Sequence, residues 1–516
     1  MKNNWKLLHA ARTFLCLILL LATALGSRAA ENTNATTRAL SLQEAVRLAL
    51  EHNLGIQIER FAPQIAQFNL EGAYGYYDPV FKSRAGYASD RAPGVLNPRY
   101  DVIAPPSESS GEALSSGLAG YLPTGLRYNL SAELAQTNRA FPQINRGRYF
   151  TFPTRDQYRT ELNLELSQPL LRNFWIDSPR TQIKISRLQV KISKLGLELF
   201  VMETVRKVQE TYYDLAVARE NVKVQEKALE LAQRLLDDNK ERLKIGVMAP
   251  LDEKQAQAQL ATAQTDLFSA QNHITLVEGA LKNLLTDEYR SWHDVVIEPS
   301  DQLLAIPESF NLSESWQNGL KLRPDFNQLK EELEKQNVIL KFRHNQLFPS
   351  LDLVGSLGWS GLDTNLNHSV EQVARGDNPR WGAGIVLSIP LTLRAERSNY
   401  KVAKATQAQG LLRLKQLEQE IVLQIDDAVK LARRNYDRVA SARQAREFAE
   451  AALDAEQQKL EGGKSTTFVV LELQGKLTRA RSVEVQALAD YNKSLAELCF
   501  REGTILERNR IVVEMK

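Results

Sequence analysis

The sequence predicts a mainly helical protein with β-strands, built as duplicated half-chains. Long antiparallel helices form a coiled-coil tunnel, and the strands contribute to a transmembrane β-barrel shared between copies. Three observations lead there. Residues 42–81 and 312–351 align without a gap, pairing Leu42 and Glu44 with Leu312 and Glu314, and Pro79 with Pro349. Such a long period indicates duplicated halves and not a solenoid of small units. Each half then carries one helical pattern far longer than a globular core requires, together with segments that alternate apolar and polar residues.

The first 29 residues read as an export signal. Lys2, Lys6 and Arg12 precede an apolar run over residues 14–25, and Ser27-Arg28-Ala29 supplies the small residues that a signal peptidase needs. That run is too short for a membrane span, which takes about 20 residues, and no later stretch is as apolar, so no membrane-crossing helix is expected. Cys16 lies inside the run and not after a Leu-x-x cleavage signal, which argues against an N-terminal lipid anchor. Cys499 is then the only cysteine of the mature chain, so no intrachain disulfide framework can form. Removing residues 1–29 leaves 61 basic against 62 acidic residues, and no basic surplus points to nucleic acid.

Ser41-x-x-Glu44 is a capping box that opens a helix to about Ala73. Ser178-Pro179 opens a second helix, with no proline or turn signal before Gly246. At about 1.5 Å per residue it spans roughly 100 Å. Its apolar residues at Ile185, Leu188, Ile192, Leu195, Leu199 and Met202 alternate spacings of three and four, and Leu215, Val222, Leu229, Leu236 and Leu243 continue at seven. This is a coiled-coil seam, with a change of phase between Met202 and Leu215. Pro250 with Asp252 and Glu253 starts a helix to about Thr286. The second half repeats the plan with helices over about 312–347, 395–460 and 467–502, broken by Gly462-Gly463. Two helices of about 35 residues, end to end, match one long one. Residues 1–29, 30–286, 287–310, 311–502 and 503–516 are thus a signal peptide, a first repeat with strands over about 80–170, a non-helical linker, a second repeat and an irregular tail.

Strand signals lie between the helices. Leu162, Leu164 and Leu166 alternate with Glu161, Asn163, Glu165 and Ser167, while Leu351, Leu353, Leu357 and Trp359 alternate with Asp352, Val354, Ser356 and Ser360. Segments of this kind, flanked by Tyr74, Tyr76, Tyr77, Phe81, Trp175 and Trp381, resemble transmembrane barrel strands. Half-buried strands of a soluble sheet alternate in the same way, and the export signal is what favours the membrane. Leu126, Tyr128, Leu130 and Leu134, after the Pro123-Thr124-Gly125 turn, add a hairpin over residues 114–137 that the second half lacks. On that ground it is expected above the membrane and not in an enlarged barrel. Residues 90–113 and 361–380, rich in Gly, Pro, Ser and Asn, read as surface loops. Four strands cannot close on themselves, and open edges are not viable in lipid, so copies must pool their strands.

Catalytic chemistry is not indicated. The six histidines have no metal-ligand spacing, and no nucleophile elbow or phosphate loop is present. No metal site, cofactor or enzymatic activity is expected.

The chain resembles the TolC-like outer-membrane efflux proteins, the outer membrane factors, over nearly all of the mature sequence. The likeness rests on the duplicated starts over residues 42–45 and 312–315, and on Arg323-Pro324-Asp325. It extends to Gln168-Pro169-Leu170 and Ile389-Pro390-Leu391, and to the paired tips RLKIGVMAPLD from Arg242 and LEGGKSTTFVVLE from Leu460. The resemblance implies a homotrimer with a 12-stranded barrel in the cell outer membrane and a periplasmic helical tunnel closed at its far end. Such a channel would be the passive exit duct of a tripartite efflux or type I secretion system, working with a periplasmic adaptor (membrane fusion) protein and an inner-membrane pump. It makes the tips, with Arg242, Leu243, Gly246, Val247, Gly462 and Gly463, the adaptor-docking site. It also places a periplasmic gate at Asp252, Lys464, Val469 and Glu472. Glu472 matches one of two aperture acids, but the other position is Val469. Asp252 matches the acid of a latch whose basic partner is replaced by Ser465, so Lys464 is the residue left to reach it. The alternative is a structural periplasm-spanning coiled coil, or an adhesin anchored in the outer membrane, which would use the same helices without a gated lumen.

Overall fold

The computed structural model describes residues 37–94, 96–97, 102–145, 148–153, 156–244 and 249–512. The export signal with Cys16, the tip residues Gly246 and Val247, and residues 513–516 of the tail lie outside the described residues. The first half runs β1 (Thr37–Leu40), α1 (Leu42–His52), α2 (Leu54–Glu59), α3 (Phe61–Tyr74), β2 (Val80–Ala92), β3 (Leu96–Asn97), β4 (Val102–Ile103), β5 (Ser107–Tyr121), β6 (Arg127–Asn145), β7 (Arg148–Pro153), β8 (Gln157–Pro169), α4 (Ser178–Lys244) and α5 (Pro250–Leu285). After β9 (Val296–Pro299) the second half follows with α6 (Leu312–Leu322), α7 (Pro324–Asn345), β10 (Ser350–Asp363), α8 (Leu366–Arg375), β11 (Pro379–Ser388), α9 (Arg394–Glu461), α10 (Thr467–Glu502) and α11 (Ile505–Arg508). The long helices α4 and α9 hold 67 and 68 residues, and the paired α5 and α10 hold 36 each.

The structure departs from the sequence expectations in several places. The opening helix of each half is broken, once at Asn53 (φ −64, ψ 118) and once at Arg323 (φ −63, ψ 123). Pro324 explains the second break, because a residue before proline is pushed out of the helical region. Asn53 takes the same backbone without a proline, and its side chain donates to the Leu284 carbonyl at 3.0 Å. The linker is not wholly irregular: it contains a short 3-10 turn, Tyr289–Trp292, and strand β9, which pairs in parallel with β1. The tail includes α11. The expected loop over 361–380 contains α8, capped by the Asn365 side chain and ended by Gly376 in the left-handed region. The loop over 90–113 is largely strand, taken up by parts of β2 and β5 and by the β3–β4 pair.

The described chain divides into two compact units. One consists of Met1–Leu54, Thr204–Glu308 and Leu431–Glu497, and so takes the C-terminal stretches of α4 and α9 with α5 and most of α10. Leu215 and Leu236 of the expected seam are buried in it, beside apolar clusters of other helix residues. Leu235, Leu453, Leu460, Val470 and Leu477 form one cluster, and Val439, Ala442, Ala487 and Tyr491 another. Near β1 and β9 the buried Tyr212 hydroxyl lies 2.9 Å from both the Leu40 carbonyl and the Asp301 carboxylate, and accepts from the Asp301 amide at 3.4 Å. Burial, then the hydrogen bond to Asp301, raises the phenol's pKa far above its usual range. Tyr212→Phe leaves those acceptors without their donor and is expected to destabilise the protein by about 1–3 kcal/mol in urea titrations. Because the folded pKa is the higher one, the unfolded phenol ionises first. The wild type should therefore lose stability as pH rises above about 10, more steeply than Tyr212→Phe.

The other unit consists of Gly55–Glu203, Ser309–Lys430 and Leu498–Lys516. Its helical core is Phe326, Ile421, Ile425, Ala428, Val429 and Leu498. Gly319 permits the close approach of α6 to α9, since a Cβ there would lie 2.5 Å from Ile425 Cδ1. The buried Arg323 guanidinium is satisfied by both Asp325 oxygens and by Gln424 Oε1 at 2.8 Å. The same unit carries the large sheet, in the order β11-β10-β8-β6-β5-β2, with β7 paired to β6 beyond β8. Every neighbouring pair along that path is antiparallel. The hairpin expected to stand apart from the membrane strands is part of this sheet, between β2 and β8.

Candidate functional site

The sheet register separates two chemically different faces, because directly opposed residues of antiparallel strands project to the same side. One row of directly opposed residues runs through Phe81, Leu118, Leu130, Leu164, Leu357 and Trp381, one residue from each strand. Four residues further along, the same face carries Ala85 on β2, Leu114 on β5, Leu134 on β6 and, in the opposite direction, Leu353 and Ile385 on β10 and β11. The adjoining row on the other face carries Asn129, Glu165 and Ser356, and another carries Ser131 and Asn163. Much of the apolar face is exposed in the single chain: Phe81 at 68%, Trp381 at 80% and Ile385 at 66%. A cavity on the sheet is lined by residues from five strands, among them Tyr121, Arg127, Asn129, Glu165 and Ser356.

An exposed apolar surface of this extent, backed by a polar one, is unsuited to a soluble monomer and matches the outward-apolar, inward-polar pattern of a barrel wall. Among the described residues no helix is long and apolar enough to cross a membrane. No group of three or more metal-ligand side chains occurs among them either.

The second candidate site is formed by the helical tips. α9 ends at Glu461, and Gly463 adopts φ +68, a conformation open to glycine, as the Lys464 amide bonds back to the Lys459 carbonyl at 2.8 Å. Arg242 Nη1 donates to the Leu460 carbonyl at 3.1 Å, tying the end of α4 to the other tip. Thr467 and Asn239, both buried, meet at 3.5 Å beneath that contact. Leu243 is half-buried, Gly462 and Gly463 are exposed, and Phe468 stands 60% exposed beside them. Phe468 closes the expected tip over residues 460–468 but was not singled out within it, although an aromatic next to a Gly-Gly tip is a visible signal.

Among the described residues, the four gate residues around these tips form no ion pair with one another. The Asp252 carboxylate accepts from the Ala249 amide at 3.3 Å and so caps its own helix. Lys464 is exposed, and Val469 is half-buried one residue before the fully buried Val470. Ser465, at the place of the missing basic residue, bonds instead to Glu456 at 2.5 Å. Glu472 is exposed and pairs with Lys476 at 2.7 Å one turn on. The hydrogen bond and charge of Lys476 hold its carboxyl below the usual carboxylate range.

A family model for outer membrane efflux proteins matches residues 129–286 and 316–501, more than half of the chain and once in each repeat. The chain belongs to the outer membrane efflux protein family. As a member of that family it is an outer-membrane channel for efflux, and the family is one of channel proteins and not of enzymes. Solved structures share the fold at low identity. The CmeC outer membrane channel of Campylobacter jejuni is 17% identical with a TM-score of 0.63, over 90% of this chain and 86% of that one. VceC from Vibrio cholerae is 16% identical with a TM-score of 0.63, over 90% and 96%. The MtrE channel of Neisseria gonorrhoeae, in an open state, is 15% identical with a TM-score of 0.60, over 90% and 89%. No curated protein matches by sequence.

Proposed function

We propose that this channel is the passive exit duct of a tripartite efflux or type I secretion system: a homotrimer whose sheets form one barrel in the outer membrane and whose helices extend into the periplasm. The observation that carries this reading is the two-faced sheet with free outer strands at β2 and β11. Open edges are not viable in hydrocarbon, so the strands of one chain need those of its copies. Light scattering in mild detergent is expected to give the mass of three chains, and a monodisperse folded monomer would overturn the reading.

The tips are the proposed docking site for a periplasmic adaptor, which in turn meets an inner-membrane pump that supplies the energy. The exposed Phe468, Gly462 and Gly463 support this, because an unpaired aromatic beside a tight turn suits a partner's apolar groove. Asp252, Lys464, Val469 and Glu472 are the proposed gate. Asp252 caps its own helix, so a latch to Lys464 would have to form between neighbouring chains. Val469 would give an apolar ring that resists wetting, and Glu472 an ionised ring that favours cations. In planar bilayers Glu472→Gln is therefore expected to lower cation preference and divalent block severalfold, and unchanged selectivity would remove Glu472 from the aperture.

A further inference from the structure

We infer that each chain contributes six strands to the membrane wall, so that three copies close an 18-stranded barrel, wider than four strands per chain would allow and able to pass bulkier cargo. The inference rests on the trimeric exit-duct reading and goes beyond it, because the resemblance implies 12 strands.

Two independent features of the sheet support it. The first is chemical continuity. The β5–β6 hairpin puts Leu118 and Leu130 in the row of Phe81 and Leu164, puts Leu114 and Leu134 in the row of Ala85 on the same face, and puts Ser115, Ser131 and Glu133 on the polar side. An appendage above the membrane would have no reason to continue the apolar band at the same level. The family match begins at residue 129, inside β6, so β5 lies outside it.

The second is stagger. The row through Phe81 and Trp381 lies one residue from the helix-side end of β2, which starts at Val80, but seven residues from that of β11, which ends at Ser388. Six residues over the five strand-to-strand steps, at ~3.4 Å per residue and ~4.8 Å per strand, correspond to a tilt of roughly 40°. Barrel strands tilt by about 35–45°. The hairpin strands share in that slant: Leu118 and Leu130 lie three residues from their helix-side ends and Leu164 five. An even strand number also leaves β2 and β11 antiparallel, so β11 of one chain can pair with β2 of the next all the way round.

At that tilt, 18 strands give a backbone diameter of about 36 Å and 12 strands about 24 Å. Strand numbers of 16–18 leave an aqueous channel. The test places a nitroxide label at Leu164→Cys in a Cys499→Ala background of the full chain and measures distances between copies in lipid. The expected spacing is ~31 Å, 1.5-fold the ~21 Å of a 12-stranded trimer. A trimer at the shorter spacing would place the hairpin outside the wall and overturn the inference while leaving the exit duct standing. Failure to form a trimer, including a dimer that closes 12 strands, would overturn both. A polarity-sensitive fluorophore at Leu130→Cys gives the second readout. Quenching by lipid-borne nitroxides as strong as at Leu164→Cys supports the inference, and quenching only by aqueous quenchers contradicts it.

Discussion

Arginine at Leu164 is expected to remove the protein from the outer membrane, whereas arginine at Glu165, the next residue, is expected to be tolerated. Leu164 sits between Leu130 and Leu357 in the apolar row, and five residues from the end of β8. With the slant of the strands this places it about 13 Å from that end, near the middle of an apolar band some 25 Å tall. A basic residue there costs about 2–4 kcal/mol in a bacterial barrel, and three copies would bear it together. Glu165 occupies the polar row beside Asn129 and Ser356, where water solvates an arginine. Membrane fractionation and unheated gel mobility would separate the two variants. If Leu164→Arg inserts and assembles like Glu165→Arg, the apolar row does not face lipid.

The second large effect is expected at Glu278, on α5. Its two oxygens meet Arg219 at 3.0 Å and Lys282 at 2.9 Å, with the Glu278 and Lys282 side chains only 11% and 7% exposed. Lys282 also donates to the His293 carbonyl at 3.1 Å, which ties α5 to the segment after it. Glu278→Leu would leave two partly desolvated cations without their anion, a loss of about 3–5 kcal/mol, while adding Lys282→Met should recover much of it. Urea denaturation would show the midpoint falling in the single variant and rising again in the double one. A single variant as stable as wild type would mean that water reaches these charges.

Much of the fold could be read in the residues themselves. α10 begins and ends where its pattern does, at Thr467 and Glu502, because a Gly-Gly break precedes it and Gly503 (φ +78) stops it. β8 and β10 were legible because both faces of the alternation are strongly marked, Leu against Glu, Asn or Asp. β5 was not. Its sequence, SESSGEALSSGLAGY, places only Leu114 and Leu118 as large aliphatic residues on the apolar face among many Ser and Gly, a composition that also describes a loop. The β1–β9 pair was hidden for another reason: its partners are about 260 residues apart, and a short strand carries little local signal. At the gate, the residue types were visible but their partners were not. Asp252 meets its own helix cap and Glu472 its own Lys476, contacts that helical spacing allows but does not single out among other carboxylates.

The free outer strands of the sheet also have a kinetic consequence. In the proposed assembly, until β2 and β11 find counterparts on other chains, each monomer carries two edges unpaired among the described residues, and the rate of maturation should rise with the local concentration of chains instead of being a property of one. β2 is fitted for that waiting period. Lys82, Arg84, Asp90 and Arg91 give it charges that discourage indiscriminate strand addition. β11 has only Arg380 among Trp381, Ile385, Val386 and Leu387, and is the edge more exposed to mispairing. Joining the right partner would thus be the step in which a newly exported chain is most vulnerable to aggregation and most dependent on how many of its siblings are near.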